Sequence, residues 1–484
     1  MAEIVLSRLR YRSPIVQILI MSFVCFACPG IFNAIMGIGN DGKTTKKDYN
    51  NAHTATYAAL AVFSLLGGGI VNIFGLRIPI FFCGLMYALN TGAHIYYNTA
   101  ETNTTAFLIV SAVLMGVGGG ILWAGQGMVM VSYPRDNERG SFIAIFWVIF
   151  NIGGMLGAII LFSLTFTPTG NIDYVSNASY IVLTCIQVLG AVSALTLVSP
   201  KHIMRDDGAL VTTSDDTSSI TEATETARLF SNRWLLLLTP MFFTSNFFYT
   251  YQFSPFNNTL FTMHTRGFNN IFYWGAQSLM AIVASFFLDQ KGWSRRRRAL
   301  IATITIAVAF NAVWIGALMS EMFDRDPDYK PESGGYYDIR ASNGAMVGTI
   351  FLYIFFGFCD ALWQILAYWF IGTMTSDPHI TARYVAYYKF VQSLGAVVAW
   401  QLDANDVSSL AQLIICWALV NVSLPLMFYV GAVTKELMYD SIPPSLMSSH
   451  STDDLESFHE LGPQSSLREK SNPELVNENT PLKG

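Results

Sequence analysis

The sequence predicts an all-α membrane protein whose twelve spanning helices form two halves of six. Three observations carry this prediction. Twelve apolar stretches, each near the roughly 20 residues a helix needs to cross a bilayer, divide six and six around one polar loop. The chain is 52% hydrophobic and only 13% charged, so these helices lack the charged faces a soluble helical protein requires. Lys and Arg concentrate in alternate loops. Unpaired backbone N–H and C=O groups are costly in lipid, so such long runs are helices rather than barrel strands.

The spans cover 15–38, 52–74, 79–97, 106–132, 141–166 and 178–198 in the first half. In the second half they cover 233–253, 269–288, 299–319, 344–373, 382–401 and 408–433. Residues 1–14 precede them. A Ser/Thr/Asp/Glu-rich loop, 199–232, joins the halves, and 434–484 form a polar tail. Both the loop and the tail have the composition of solvated, disordered chain. With the N-terminus placed in the cytosol, the inner loops and tail hold 20 of the 28 basic residues and the outer loops 7, with Lys389 inside a span. Basic residues favour the cytosolic side, so both termini are expected there. The Asn-x-Ser/Thr triplets at Asn103, Asn177 and Asn257 then fall in outer loops, as glycosylation requires, although such triplets also arise by chance. The first apolar run is too long for a cleaved signal peptide and predicts a signal anchor.

Other bulk features exclude more than they assign. A net charge of −5 gives no expectation of a nucleic-acid partner. All six cysteines lie in apolar segments, so no disulfide framework is expected, and the Cys25-x-x-Cys28 pair has no second pair to complete a zinc site. No Ser/His/Asp grouping and no phosphate-binding glycine loop stands out. The sequence predicts no enzyme, no cofactor and no metal. Membrane lipid is the one certain partner of such a chain.

Small residues mark close helix contacts. Ala112, Gly116, Gly120 and Ala124 recur every four residues on span four, and Gly153 and Gly157 do so on span five. Such stripes let backbones approach, and the two are expected to face each other. A faint duplication links the halves. The segment after span two, with Gly68, Asn72, Gly75 and Arg77, parallels the segment after span eight, with Asp289, Gly292 and Arg295. Each sets a polar residue three before a glycine, with a basic residue beyond. These are candidate gating loops.

The first of these loops resembles the major-facilitator signature Gly-x-x-x-Asp-x-x-Gly-x-Arg/Lys, with Asn72 in the acidic place. The text Gly116-Val-Gly-Gly-Gly-Ile-Leu-Trp123-Ala-Gly-Gln126-Gly127, with Glu138-Arg139-Gly140 and Phe150-Asn151-Ile-Gly153, resembles the uncoordinated-93 family of that superfamily. Further matches are Ser245-Asn246, Tyr249, Gln252, Tyr273-Trp274, Gln277, Tyr388-Lys389, Gln392-Ser393, Gly395 and Trp400. The resemblance covers roughly 15–433. It implies a major-facilitator-type fold and no enzyme. Known members regulate potassium channels or escort receptors, and others are regarded as transporters.

In that superfamily the first, fourth, seventh and tenth helices line the pathway. Here those spans carry Asn33; Trp123 and Gln126; Asn246 and Tyr249; and Asp360, Trp363, Gln364 and Tyr368. Amides and aromatic rings suit an organic solute, and they also serve as glue between helices. Asp360 and Lys389 sit deep in spans ten and eleven. They are expected either to pair, because isolated charges there cost several kcal/mol, or to separate, with Lys389 snorkelling to the cytosolic surface. His94, near the outer end of span three, is expected at the interface. Two functions remain open: a secondary transporter of an unknown small organic solute, or a regulatory or trafficking subunit that binds another integral membrane protein.

Overall fold

A computed structural model of the protein describes residues 10–433, apart from 101, 103, 134–138, 167–171, 200–201, 205–224, 226, 289, 291, 324–336, 341–343 and 376–377. Asn103, Asp289, Glu138, most of the central loop and the tail therefore lie outside the described residues. The unit Met1–Leu437 contains all the elements that follow, and Met438–Gly484 is a separate unit.

The described chain is almost wholly helical. The first half comprises α1 (Pro14–Gly37), α2 (Lys46–Phe74), α3 (Arg77–Thr99), α4 (Thr104–Ser132), α5 (Arg139–Thr165) and α6 (Asn177–Ala194). In the second half, α7 runs through Arg233–Thr244, Phe247–Tyr251 and Gln252–Asn258. It is followed by α8 (Met263–Leu288), α9 (Arg295–Phe323), α10 (Gly344–Met374), α11 (Pro378–Ala404) and α12 (Ser409–Ala432). Ten of these are long and apolar enough to cross a membrane. The other two predicted spans are helical but depart from that standard. α7 breaks at Ser245 and Asn246, and α11 carries Arg383, Lys389, Gln392, Gln401 and Asp403.

Local chemistry accounts for the shifted boundaries. α2 starts six residues before its apolar run because Thr45 caps it, its side chain accepting from the Asp48 N–H. The polar first turn had hidden this start. Gly68 and Asn72, expected in a loop, are helical, and the turn is only Gly75 and Leu76. Gly75 has φ +75°, a conformation that favours glycine. α1 and α7, the first helices of the two halves, both contain wide π-type turns with a proline, at Phe26–Gly30 with Pro29 and at Gln252–Asn258 with Pro255. Proline removes one ladder hydrogen bond, and the widened turn accommodates its ring.

The halves repeat one packing plan. α2 lies on α4, α3 on α4 and α6, and α1 on α5 and α6. Six helices later, α8 lies on α10, α9 on α10 and α12, and α7 on α11 and α12. The halves meet through α2 against α11 and α5 against α8. Such equivalence is the mark of a duplicated transporter bundle. The small-residue stripes are close contacts, but not with each other. A Cβ on Gly116 would strike Thr56 and Ala59, and one on Gly120 would lie 2.6 Å from the Phe63 carbonyl carbon, so the α4 stripe packs on α2. Gly153 faces the Phe26 backbone and Gly157 faces Ala34, so the α5 stripe packs on α1.

We call the surface bearing the start of α1 the N-terminal face and its opposite the far face. At the far face the α1–α2 connection is stitched down by Asp41. Its carboxylate accepts from the Thr44 hydroxyl (2.7 Å), the Tyr180 hydroxyl (2.9 Å) and His94 Nδ1 (3.1 Å). Burial alone would raise this carboxyl, but hydrogen bonds from His94 and Thr44 outweigh it and hold it well below the usual carboxylate range. His94 is thus buried at the end of α3 and stacked on Tyr180, rather than exposed at an interface.

Candidate functional site

The two halves enclose a cavity of about 60 Å³ at the middle of the bundle. Its walls include Asn33 from α1, Tyr57 from α2, Trp123 from α4, Trp147 and Phe150 from α5, Asn246 and Tyr249 from α7, Gln277 from α8, Gln364 from α10, and Lys389 and Gln392 from α11. Five expected pathway residues, Asn33, Trp123, Asn246, Tyr249 and Gln364, are brought together there.

The other four do not line it. Asp360 lies immediately behind the wall. Trp363 is fully buried, donates its indole N–H to the Met241 carbonyl at 3.0 Å and packs on Phe310, so it joins α10 to α7. Tyr368 packs between Trp147 and Tyr388. Gln126 is buried on α4, outside the cavity lining.

Asp360 is fully buried among donors. Its Oδ1 accepts from Gln364 Nε2 at 2.7 Å. Its Oδ2 accepts from Gln277 Nε2 and from the Tyr273 hydroxyl, the latter at 3.2 Å. The Tyr273 hydroxyl also reaches Gln252 Oε1 at 2.8 Å. Gln364 spends its second amide hydrogen on the Tyr249 hydroxyl, 2.9 Å away.

Lys389 makes no direct ion pair with Asp360. Its Nζ donates to Gln392 Oε1 at 2.9 Å and stands over three rings: Trp123 at 4.6 Å, Tyr388 at 5.1 Å and Tyr368 at 5.6 Å. Two amides separate the charges, because Gln392 Nε2 lies 3.4 Å from Gln364 Oε1, and Gln364 in turn holds Asp360. Depth along the helices had suggested a pair, whereas azimuth around them interposes the glutamines. Nor does Lys389 snorkel. It is 6% exposed, directed at the cavity and cushioned by ring faces, which attract cations.

Sequence reasoning from helices one, four, seven and ten missed the share of α2, α5, α8 and α11. The available signal was polarity. Gln277, Gln392 and Gln252 are amides in apolar runs, and such residues face the bundle interior. Of the candidate gating residues, Arg77 opens α3 and donates its Nε–H to the Leu197 carbonyl at 2.8 Å, while Gly292 and Arg295 are exposed ahead of and at the start of α9. Asn72 is exposed on the last turns of α2.

The far face carries a set of ties between the halves. Among the described residues, every hydrogen bond between halves lies toward the far face. Asp403 of α11 accepts from Asn50 of α2 at 2.7 Å and, within its own half, from Ser254 at 2.6 Å. Asn270 donates to the Ala34 carbonyl at 2.8 Å, Asn257 donates to the Gly37 carbonyl at 2.9 Å, and Gln401 reaches Asn51 and Thr54. Asn257 is therefore not an available glycosylation site. It is fully buried within the last turn of α7, its amide is used by Gly37, and its oxygen accepts from Asn269. Asn177 is partly exposed at the start of α6, its oxygen accepting from Asn98.

Two six-helix bundles around a central polar cavity define a multi-pass membrane protein with a transporter-like architecture. In solved structures the same arrangement is found in a D-xylose-proton symporter, with a TM-score of 0.58, 11% identity and coverage of 87% of this chain and 97% of that one. A partially occluded inward-open xylose transporter from E. coli gives a TM-score of 0.54 at 11% identity, covering 89% of this chain and 96% of that one. The fold is of the major-facilitator type. Residues 41–426 match the family described as ion channel regulatory protein UNC-93, and the chain belongs to that family. UNC93-like protein 1 of Arabidopsis thaliana is 39% identical over 421 residues, which cover 86% of this chain and 90% of that protein. An UNC93-like protein of Schizosaccharomyces pombe is 34% identical, covering 90% and 86%. Family and fold point to a membrane transporter or regulatory protein rather than an enzyme.

Proposed function

We propose that the protein is a secondary transporter that moves a small organic solute by alternating access. The observation that carries this reading is the central cavity, lined from both halves by amides, tyrosines and tryptophans. A site shared between two bundles changes its access when one bundle rocks on the other. Closure by hydrogen bonds at the far face supports a state in which that side is shut. The test is uptake into reconstituted vesicles across a panel of metabolites. At least one solute should accumulate with wild-type protein, and Gln364→Leu, which strips donors from Asp360 and Tyr249, should reduce that uptake tenfold or more. Uptake of no solute by a folded protein would defeat the proposal.

A second reading, a regulatory or trafficking subunit of another membrane protein, draws on the family's description and on the size of the cavity. The cavity, at about 60 Å³, is well below the roughly 300 Å³ of ordinary solute pockets. A folded, transport-inactive protein that still controls a partner's localisation would favour it.

For orientation we propose that the N-terminal face is cytosolic, supported by the basic residues Arg12, Arg77, Arg228, Arg233 and Arg295 to Arg298 along it. Cysteines introduced beside the Arg295 run and in the 320–343 connection should label from opposite sides. Labelling from the same side would overturn the assignment.

A further inference from the structure

We infer that the central cavity selects anionic solutes, with Lys389 as the group that meets a carboxylate; this rests on the transport site proposed above. Lys389 lines the cavity, yet among the described residues its hydrogen-bond acceptor is the neutral Gln392 Oε1. An ammonium carries three donors, so two have only ring faces before them. The nearest acid, Asp360, acts on it only at a distance, because Asp360 is held by Gln364, Gln277 and Tyr273 and stands behind two amides. A buried cation with no carboxylate in direct contact keeps part of a desolvation cost that an entering anion would offset.

Neighbouring groups fit the same ligand. Asn246 offers its oxygen to Gln392, which leaves its amide N–H groups for the cavity it lines. Asn33 lines the opposite wall, and no hydrogen bond to its side chain is formed among the described residues. Lys389, Asn246 and Asn33 thus all present donors to the cavity, and charged hydrogen bonds are the strong ones. Trp123 and Trp147 supply flat apolar walls. The ligand class is a small monocarboxylate with a flat or apolar body.

The test compares carboxylates with their neutral amides on the full-length protein in detergent: acetate with acetamide, benzoate with benzamide, and indole-3-acetate with indole-3-acetamide. Binding is read by thermal shift and by displacement of radiolabelled indole-3-acetate. Wild type should bind at least one acid tenfold or more tightly than its amide. Lys389→Met should remove that preference, and Lys389→Arg should retain it. If Lys389→Met fails to fold, Asn246→Leu and Asn33→Leu should each weaken acid binding several-fold without changing the amide. Equal binding of acids and amides, no binding of any acid, or a preference that survives in Lys389→Met would overturn the inference. Uptake of a neutral solute without acid binding would defeat the inference but not transport. Acid binding with no uptake of any solute would do the reverse.

Discussion

Gly120→Leu is expected to eliminate folded protein from the membrane. A Cβ at this position would lie 2.6 Å from the Phe63 carbonyl carbon and 2.7 Å from the Ser64 nitrogen, both backbone atoms of α2 that cannot move aside. Overpacking a tight site costs about 1–3 kcal/mol, and Leu adds its whole side chain against a backbone. The matched control is Gly68→Ala, because Gly68 has nothing within 4 Å of a Cβ. That change should be neutral or stabilising by up to about 1 kcal/mol through helix propensity. Both are read as membrane abundance and melting temperature. Normal abundance of Gly120→Leu would remove the α2–α4 approach from the description.

Asp360→Leu should destabilise the protein far more than Lys389→Met. The first leaves the Gln364 and Gln277 amides and part of the Tyr273 hydroxyl's bonding unmet behind the cavity wall, at about 1–3 kcal/mol for each orphaned group. The second replaces a ring-caged ammonium with an apolar chain of similar length, and changes that conserve volume usually cost under about 1.5 kcal/mol. Asp360 keeps its three donors either way. Coupling across two amides should therefore fall short of the roughly 3–5 kcal/mol typical of breaking a buried pair. Melting temperatures of the two single variants and the double variant decide this. A double variant more stable than either single would mean that the charges pair directly after all.

Much of the architecture was legible before the structure. Apolar runs placed the helices because lipid admits little else. Helix ends were less visible where capping rather than hydropathy sets them, as at Thr45, or where a helix continues through a proline, as at Pro255. That second extension buried Asn257, which a hydropathy boundary had left outside. The stripes at Gly116, Gly120 and Gly153 were readable as close contacts, since only small residues permit them. Their partners were not, because a stripe states how near a neighbour comes and not which neighbour it is. The site followed the same pattern. Asn33, Trp123, Asn246, Tyr249 and Gln364 announced themselves as polar or aromatic groups on inward helices. Gln277 and Gln392 were legible only as amides in apolar runs, because which wall each joins depends on rotation about its helix axis.

The far-face ties carry a consequence for occupancy. A conformer open to that side must give up the Asn50–Asp403, Asn270–Ala34 and Asn257–Gly37 contacts and the Gln401 bridge. With each bond worth a net value of about 1 kcal/mol, such a conformer would be populated by only a small fraction of molecules without ligand. Its apparent affinity for anything arriving from that side would be weakened by the same fraction. Single substitutions at Asn50 or Asn270 would then tighten far-side binding about fivefold, while touching no atom of the cavity. Occupancy of the central site from the far side is thus set by side chains that never meet the solute.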